Sequence, residues 1–85
     1  MQVTNVYFSK IIKVGERLRE FNFRKLPNTT NSFHVDATDD RGQRIIFTMF
    51  LDEERNWKIS SQNVPLWVSL AEGSLASIIA ENYSV

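Results

Sequence analysis

Two short polar turns fix what this chain can fold into. Asp39-Asp40-Arg41-Gly42 and Asp52-Glu53-Glu54-Arg55-Asn56 interrupt a stretch, residues 33–60, that otherwise alternates apolar and polar side chains. Phe33, Val35 and Ala37 alternate with His34, Asp36 and Thr38, which is the period of a half-buried strand. Gly42 suits the left-handed position of a turn with a bulge, and Asn56 is the residue of the second turn expected to take that conformation. If Asp39 pairs with Gln43, then Ala37 faces Ile45, Val35 faces Phe47 and Phe33 faces Met49. If Leu51 pairs with Trp57, Met49 faces Ile59. Both registers put every one of these apolar residues on one face, and a one-residue slip in either hairpin would destroy the agreement.

The flanking segments extend this unit. Residues 19–26 read as a further strand ending at Pro27; with Phe23 opposite Val35, Phe21 and Phe23 join the same face. The strands are then about 19–26, 33–38, 44–51 and 56–60. After Pro65, which suits a first helical turn, Trp67, Val68, Ala71, Leu75, Ile78, Ile79 and Asn82 recur at helical spacing, with a bend expected at Gly73. The expected fold is α+β: an antiparallel four-stranded β-meander over about 19–60, with a C-terminal helix over about 65–82 packed on one face. Residues 3–18 fit a helix (Tyr7, Ile11, Val14, Leu18) and a strand (Val6, Phe8, Ile12, Val14) equally. A second helix ending near Gly15 is the expectation, because it would cover more of the core.

Length and composition set the remaining bounds. Eighty-five residues suffice for one domain, 1–85, and a chain of that size has a thin core. With no cysteine, neither disulfides nor thiolate metal sites can reinforce it. Ten basic and ten acidic residues balance, which removes the simplest argument for nucleic acid or an anionic membrane. No apolar run approaches the ~20 residues of a membrane helix, and no secretory leader pattern is visible, so a cytoplasmic location is expected. The triplets Asn28-Thr29-Thr30 and Asn82-Tyr83-Ser84 then match the glycosylation pattern by chance.

No motif identifies a chemistry. Three scattered glycines cannot form a phosphate loop, and one histidine without cysteine cannot hold zinc. The acidic turns fall at opposite ends of a meander, so they cannot share a cation. The registers line up His34, Thr48 and Ser60 on the outer face with Asp36 beside them, residue types of a hydrolase triad. An open sheet face nevertheless offers neither oxyanion hole nor cleft. No catalytic, metal or cofactor residues are therefore assigned. Arg17, Arg19, Arg24 and Lys25 interleave with Phe21 and Phe23, and residues 1–30 carry six Lys/Arg against two Glu. Basic residues around sheet aromatics are how single-stranded nucleic acid is held, although burial of both Phe residues is the better expectation. The outer face is polar or small except for Ile46 and Phe50, a candidate interface to be shielded by a second subunit or by residues 3–18. The function expected from the sequence is a small non-enzymatic domain that binds a protein partner or itself as a homodimer. Single-stranded nucleic-acid binding through the basic third is the alternative.

Overall fold

A computed structural model describes residues 6–26, 31–60 and 63–83. Five antiparallel strands lie in sequence order: β1 (Tyr7–Val14), β2 (Arg17–Lys25), β3 (Ser32–Thr38), β4 (Arg44–Leu51) and β5 (Trp57–Ile59). Two helices follow, α1 (Leu66–Leu70) and α2 (Glu72–Asn82). The architecture is thus the expected α+β meander with helical cover on one face, enlarged by one strand. The registers are those the turns dictate: Ala37 opposite Ile45, Val35 opposite Phe47, Met49 opposite Ile59, Leu51 opposite Trp57, and Phe23 opposite Val35.

Residues 7–14 form an edge strand, and the expectation of a second helix is corrected. Val14 pairs with Arg17 across Gly15-Glu16, and Gly15 has φ +64° while Glu16 does not have positive φ. That is the pattern of a two-residue hairpin with glycine first, which fits the natural strand twist. Only glycine occupies such a position without strain.

The two acidic turns share one geometry. In each, an aspartate Oδ1 accepts two backbone N–H bonds: from Arg41 and Gln43 to Asp39 at 2.9 and 2.8 Å, and from Glu54 and Asn56 to Asp52 at 2.9 and 2.8 Å. The left-handed residue is the fourth of each turn, Gly42 in the first and Arg55 (φ +67°) in the second. Arg55 therefore takes the position expected of Asn56.

Phe21, Phe23, Phe33, Val35, Phe47 and Met49 on the sheet, with Val68, Leu75 and Ile79 on the helices, are fully buried and form the core. The helical stripe continues through a break at Ala71, not at Gly73. Ala71 donates its N–H to Val68 O at 3.0 Å, a tighter turn than the α-helix makes, and its side chain is buried. Asn82, placed on the stripe by spacing, is exposed. The polar segment 27–30, with the Asn28 triplet, and Ser84 lie outside the described residues.

Candidate functional site

The helices occupy one face of the sheet, so the site must be sought on the other. By strand alternation that outer face carries Tyr7, Ser9, Ile11 and Lys13 from β1, Leu18, Glu20, Asn22 and Arg24 from β2, His34, Asp36 and Thr38 from β3, and Arg44, Ile46, Thr48 and Phe50 from β4. No described element covers it. Ile46 is 52% exposed and Phe50 38%, and Tyr7, Ile11 and Leu18 are more exposed still. Residues 6–18 do not shield Ile46 and Phe50: β1 lies three positions away from β4 in the sheet. Residues 3–5 lie outside the described residues.

A polar row crosses the middle of this face. Ser9, Asn22, Asp36 and Ile46 stand opposite one another on four successive strands. Ser9 Oγ donates to Asn22 Oδ1 at 2.6 Å, and Asn22 Nδ2 donates to Asp36 Oδ1 at 2.8 Å. Arg44 Nη2 donates to Asp36 Oδ2 at 2.9 Å. Asp36 is only 8% exposed although it sits on an otherwise open face. Burial pushes its carboxyl up, but the bonds from Asn22 and Arg44 and the charges of Arg44 and His34 outweigh that and hold it below its ordinary value. The same bond to Asp36 raises the Arg44 guanidinium. The row is a satisfied structural network: it ties the edge strand β1, through Ser9, to the middle of the sheet.

The structure places His34 opposite Thr48, as the registers require. Ser60 Oγ donates to the Thr48 carbonyl at 3.1 Å, so its proton is engaged by the backbone. Among the described residues no hydrogen bond joins His34 to Thr48 or Ser60, and no group of three or more His, Asp or Glu side chains is arranged to hold a metal.

The four basic candidates do not converge. Arg19 points to the inner face, its guanidinium 4.0 Å above the Trp67 ring and 3.1 Å from Asp40 Oδ1. Arg17 reaches the same carboxylate at 3.4 Å. Lys25 Nζ lies 5.7 Å over the Tyr83 ring and bonds the Leu26 carbonyl. Arg24 is exposed on the outer face. Phe21 and Phe23 are in the core, away from any of these charges' solvent sides. A shallow cavity of about 360 Å³ beside Arg17, Arg19 and Asp40 is open to solvent; Asp40 pairs with both of its cations, while Arg19 Nε is buried without a hydrogen-bond partner among the described residues.

Sequence reasoning found Ile46 and Phe50 but missed Tyr7, Ile11 and Leu18, because their position depends on β1 being a strand. The signal was present in Gly15-Glu16, a two-residue glycine-first turn between apolar segments. Comparison with protein-family models, with curated proteins and with solved structures found no match. Among the described residues, no helix is long and apolar enough to cross a membrane.

Proposed function

We propose that the protein is a small, non-enzymatic, cytoplasmic domain that binds protein through the outer face of its sheet. The observation that carries this reading is the contrast between the faces: both helices pack on one, and the other keeps Tyr7, Ile11, Leu18, Ile46 and Phe50 in solvent around a rigid polar row. Strand spacing near 4.8 Å and a rise near 3.4 Å per residue give the face a projected area of about 500 Å². Covering it would bury on the order of 1,000 Å² in total, the lower bound for a specific protein contact. The mixture suits protein: apolar side chains to bury, with Lys13, Arg24 and Lys58 against Glu20 at the rim.

Single-stranded nucleic acid has less support. Phe21 and Phe23 are buried, and Asp40 engages Arg17 and Arg19, so the aromatic and basic residues do not form one surface.

Ile46→Asp tests the proposal. The variant should remain folded, because the side chain is half in solvent, at a modest cost from setting a second carboxylate opposite Asp36 that circular dichroism and the melting midpoint will register. Immobilised wild-type protein should retain a partner from lysate of the source cell that the variant does not retain. A variant that keeps every wild-type partner would remove the outer face as the binding surface.

A further inference from the structure

The hydrogen-bond phase of the sheet leaves one edge open. Lys25 N–H donates to Val6 O at 2.9 Å, which makes Val6 and Lys25 a bonded pair of the β1–β2 ladder. Bonded and non-bonded pairs alternate in an antiparallel ladder. Phe8, Lys10, Ile12 and Val14 therefore bond to β2, and Tyr7, Ser9, Ile11 and Lys13 turn their N–H and C=O groups away from it. Among the described residues nothing lies beyond β1. The opposite edge is treated differently. β5 is three residues long, and the N–H of Ile59 on its free side is bonded at 2.8 Å by the Glu72 carboxylate from the start of α2.

An eight-residue edge that is apolar at Tyr7, Phe8, Ile11, Ile12 and Val14 is a template for another strand. We propose that the strand which completes it is β1 of a second copy of this chain, paired antiparallel across a two-fold axis perpendicular to the sheet. This rests on the reading that the protein binds protein, and it names one such partner.

The side chains select a single register. A two-fold axis pairs residue i with a residue whose number has the same parity, because opposite side chains must share a face. Two registers of that kind overlap seven residues of β1. Centring on Lys10 sets the two Lys10 side chains directly opposite each other in the closest type of pair, which like charges oppose. Centring on Ile11 avoids this. It pairs Ile11 with the partner's Ile11, Ser9 with the partner's Lys13, Lys10 with the partner's Ile12 and Phe8 with the partner's Val14. The Ile11 pair and the two Ser9–Lys13 pairs are of the bonded kind, so the join forms six backbone hydrogen bonds.

Two further observations fit. Ile11 is 67% exposed, and this register buries it against its own copy on the outer face. Among the described residues the ring contacts of the helical segment with the sheet are to β2, β3 and β5, where Trp67 meets Phe21 and Tyr83 meets Phe33 and Trp57, and none is to a β1 ring. The product is a ten-stranded sheet with both outer faces on one side and all four helices on the other. The protein-binding face proposed above is thereby doubled.

Sedimentation and cross-linking test the pairing. The wild type should show a concentration-dependent monomer–dimer equilibrium. Ile11→Pro removes an N–H that the monomer does not use, and proline is accepted on edge strands; it should weaken dimerisation roughly tenfold or more. Ile11→Lys, which leaves the backbone free, should do the same by placing two lysines opposite each other. Circular dichroism should be unchanged in at least one of the two. Because the chain has no cysteine, Ile11→Cys should give a disulfide-linked dimer on mild oxidation, since opposite Cα atoms lie ~5.5 Å apart. Lys10→Cys should not, because its own copy lies two residues further along, beyond the ~7 Å limit. A wild type that stays monomeric at millimolar concentration, a dimer that survives both Ile11→Pro and Ile11→Lys, or cross-linking at Lys10→Cys in preference to Ile11→Cys would overturn the proposal. None of these results touches the Ile46→Asp capture experiment, which judges the outer face separately.

Discussion

At the β5 edge the strand is three residues long and α2 reaches over to it, so that Glu72 takes up the Ile59 N–H. At the β1 edge the strand is eight residues long, five of them apolar, and four residues present backbone groups with no partner among the described residues. Edges are where sheets associate wrongly, and proteins ordinarily shorten or cover them. This chain applies that protection to one edge and not to the other. A general inability to close edges would have left both alike. The asymmetry points to β1 as a strand kept available, and each of the following measurements bears on it.

The largest effect belongs to the strand between the edges. Phe47 on β4 is buried against Val35 and the helices' side of the core. Phe47→Ala should cost about 3–5 kcal/mol, much of the ~5–10 kcal/mol that holds a domain of this size together. Denaturant titration followed by tryptophan fluorescence and by circular dichroism should show one early transition by both probes. If Trp57 on β5 instead loses its environment well before the rest of the sheet melts, the two edges belong to separate units and comparing them means nothing.

How far the sequence revealed this arrangement follows from where its signals were redundant. Two turns of the same length flank β4, and each fixed its register independently, so Phe33, Val35, Phe47, Met49 and Trp57 could be assigned to one face. The left-handed residue of the second turn was readable by the same analogy: Gly42 is fourth from Asp39, and Arg55 is fourth from Asp52. Intrinsic preference pointed to Asn56, and turn geometry prevailed at a cost of about 1 kcal/mol for a non-glycine residue. β1 was obscured because it is apolar on both faces. Ile11 and Tyr7 point outward and Lys10 inward, which blurs the two-residue period that marks a half-buried strand. With β1 unassigned, Ser9 could not be placed beside Asn22, nor the open edge seen at all.

A smaller effect sharpens the contrast at the closed edge. Glu72→Ala leaves the Ile59 N–H without its carboxylate and removes an acidic residue from the first turn of α2. A charge-assisted bond and a helix-terminus interaction are together worth about 1–2 kcal/mol here. The denaturation midpoint should fall accordingly, and hydrogen exchange at Ile59 should speed up. In dilute wild-type protein the amides of Ser9 and Ile11 should already exchange fast, and they should slow as concentration rises. Fast exchange at Ile59 in the wild type would show that the β5 edge is no better closed than the β1 edge.

The smallest effect concerns what holds the open edge to the sheet. Ser9 is the only outer-face β1 side chain in the polar row, and its bond to Asn22 is relayed to Asp36, which Arg44 anchors from the far side. The Asp36 carboxyl is held below its ordinary value in the folded protein, with burial opposing and the Asn22 and Arg44 bonds and nearby positive charge prevailing. A carboxyl depressed on folding stabilises the fold at all pH values above its unfolded pKa. That contribution disappears as the pH falls through the ordinary carboxylate range to the lower folded value. Asp36→Asn removes the charge that Arg44 neutralises, and because the Arg44 side chain is 66% exposed and screened by solvent the loss at neutral pH should be small. The difference in stability between wild type and variant should shrink on acidification, as the wild-type carboxyl becomes protonated. Exchange should accelerate at the β1–β2 amides that the row steadies, while Ile59 stays as slow as before. If the two proteins lose stability in parallel as pH falls, or if exchange rises equally at both edges, the row is surface decoration and β1 is held by its ladder to β2 alone.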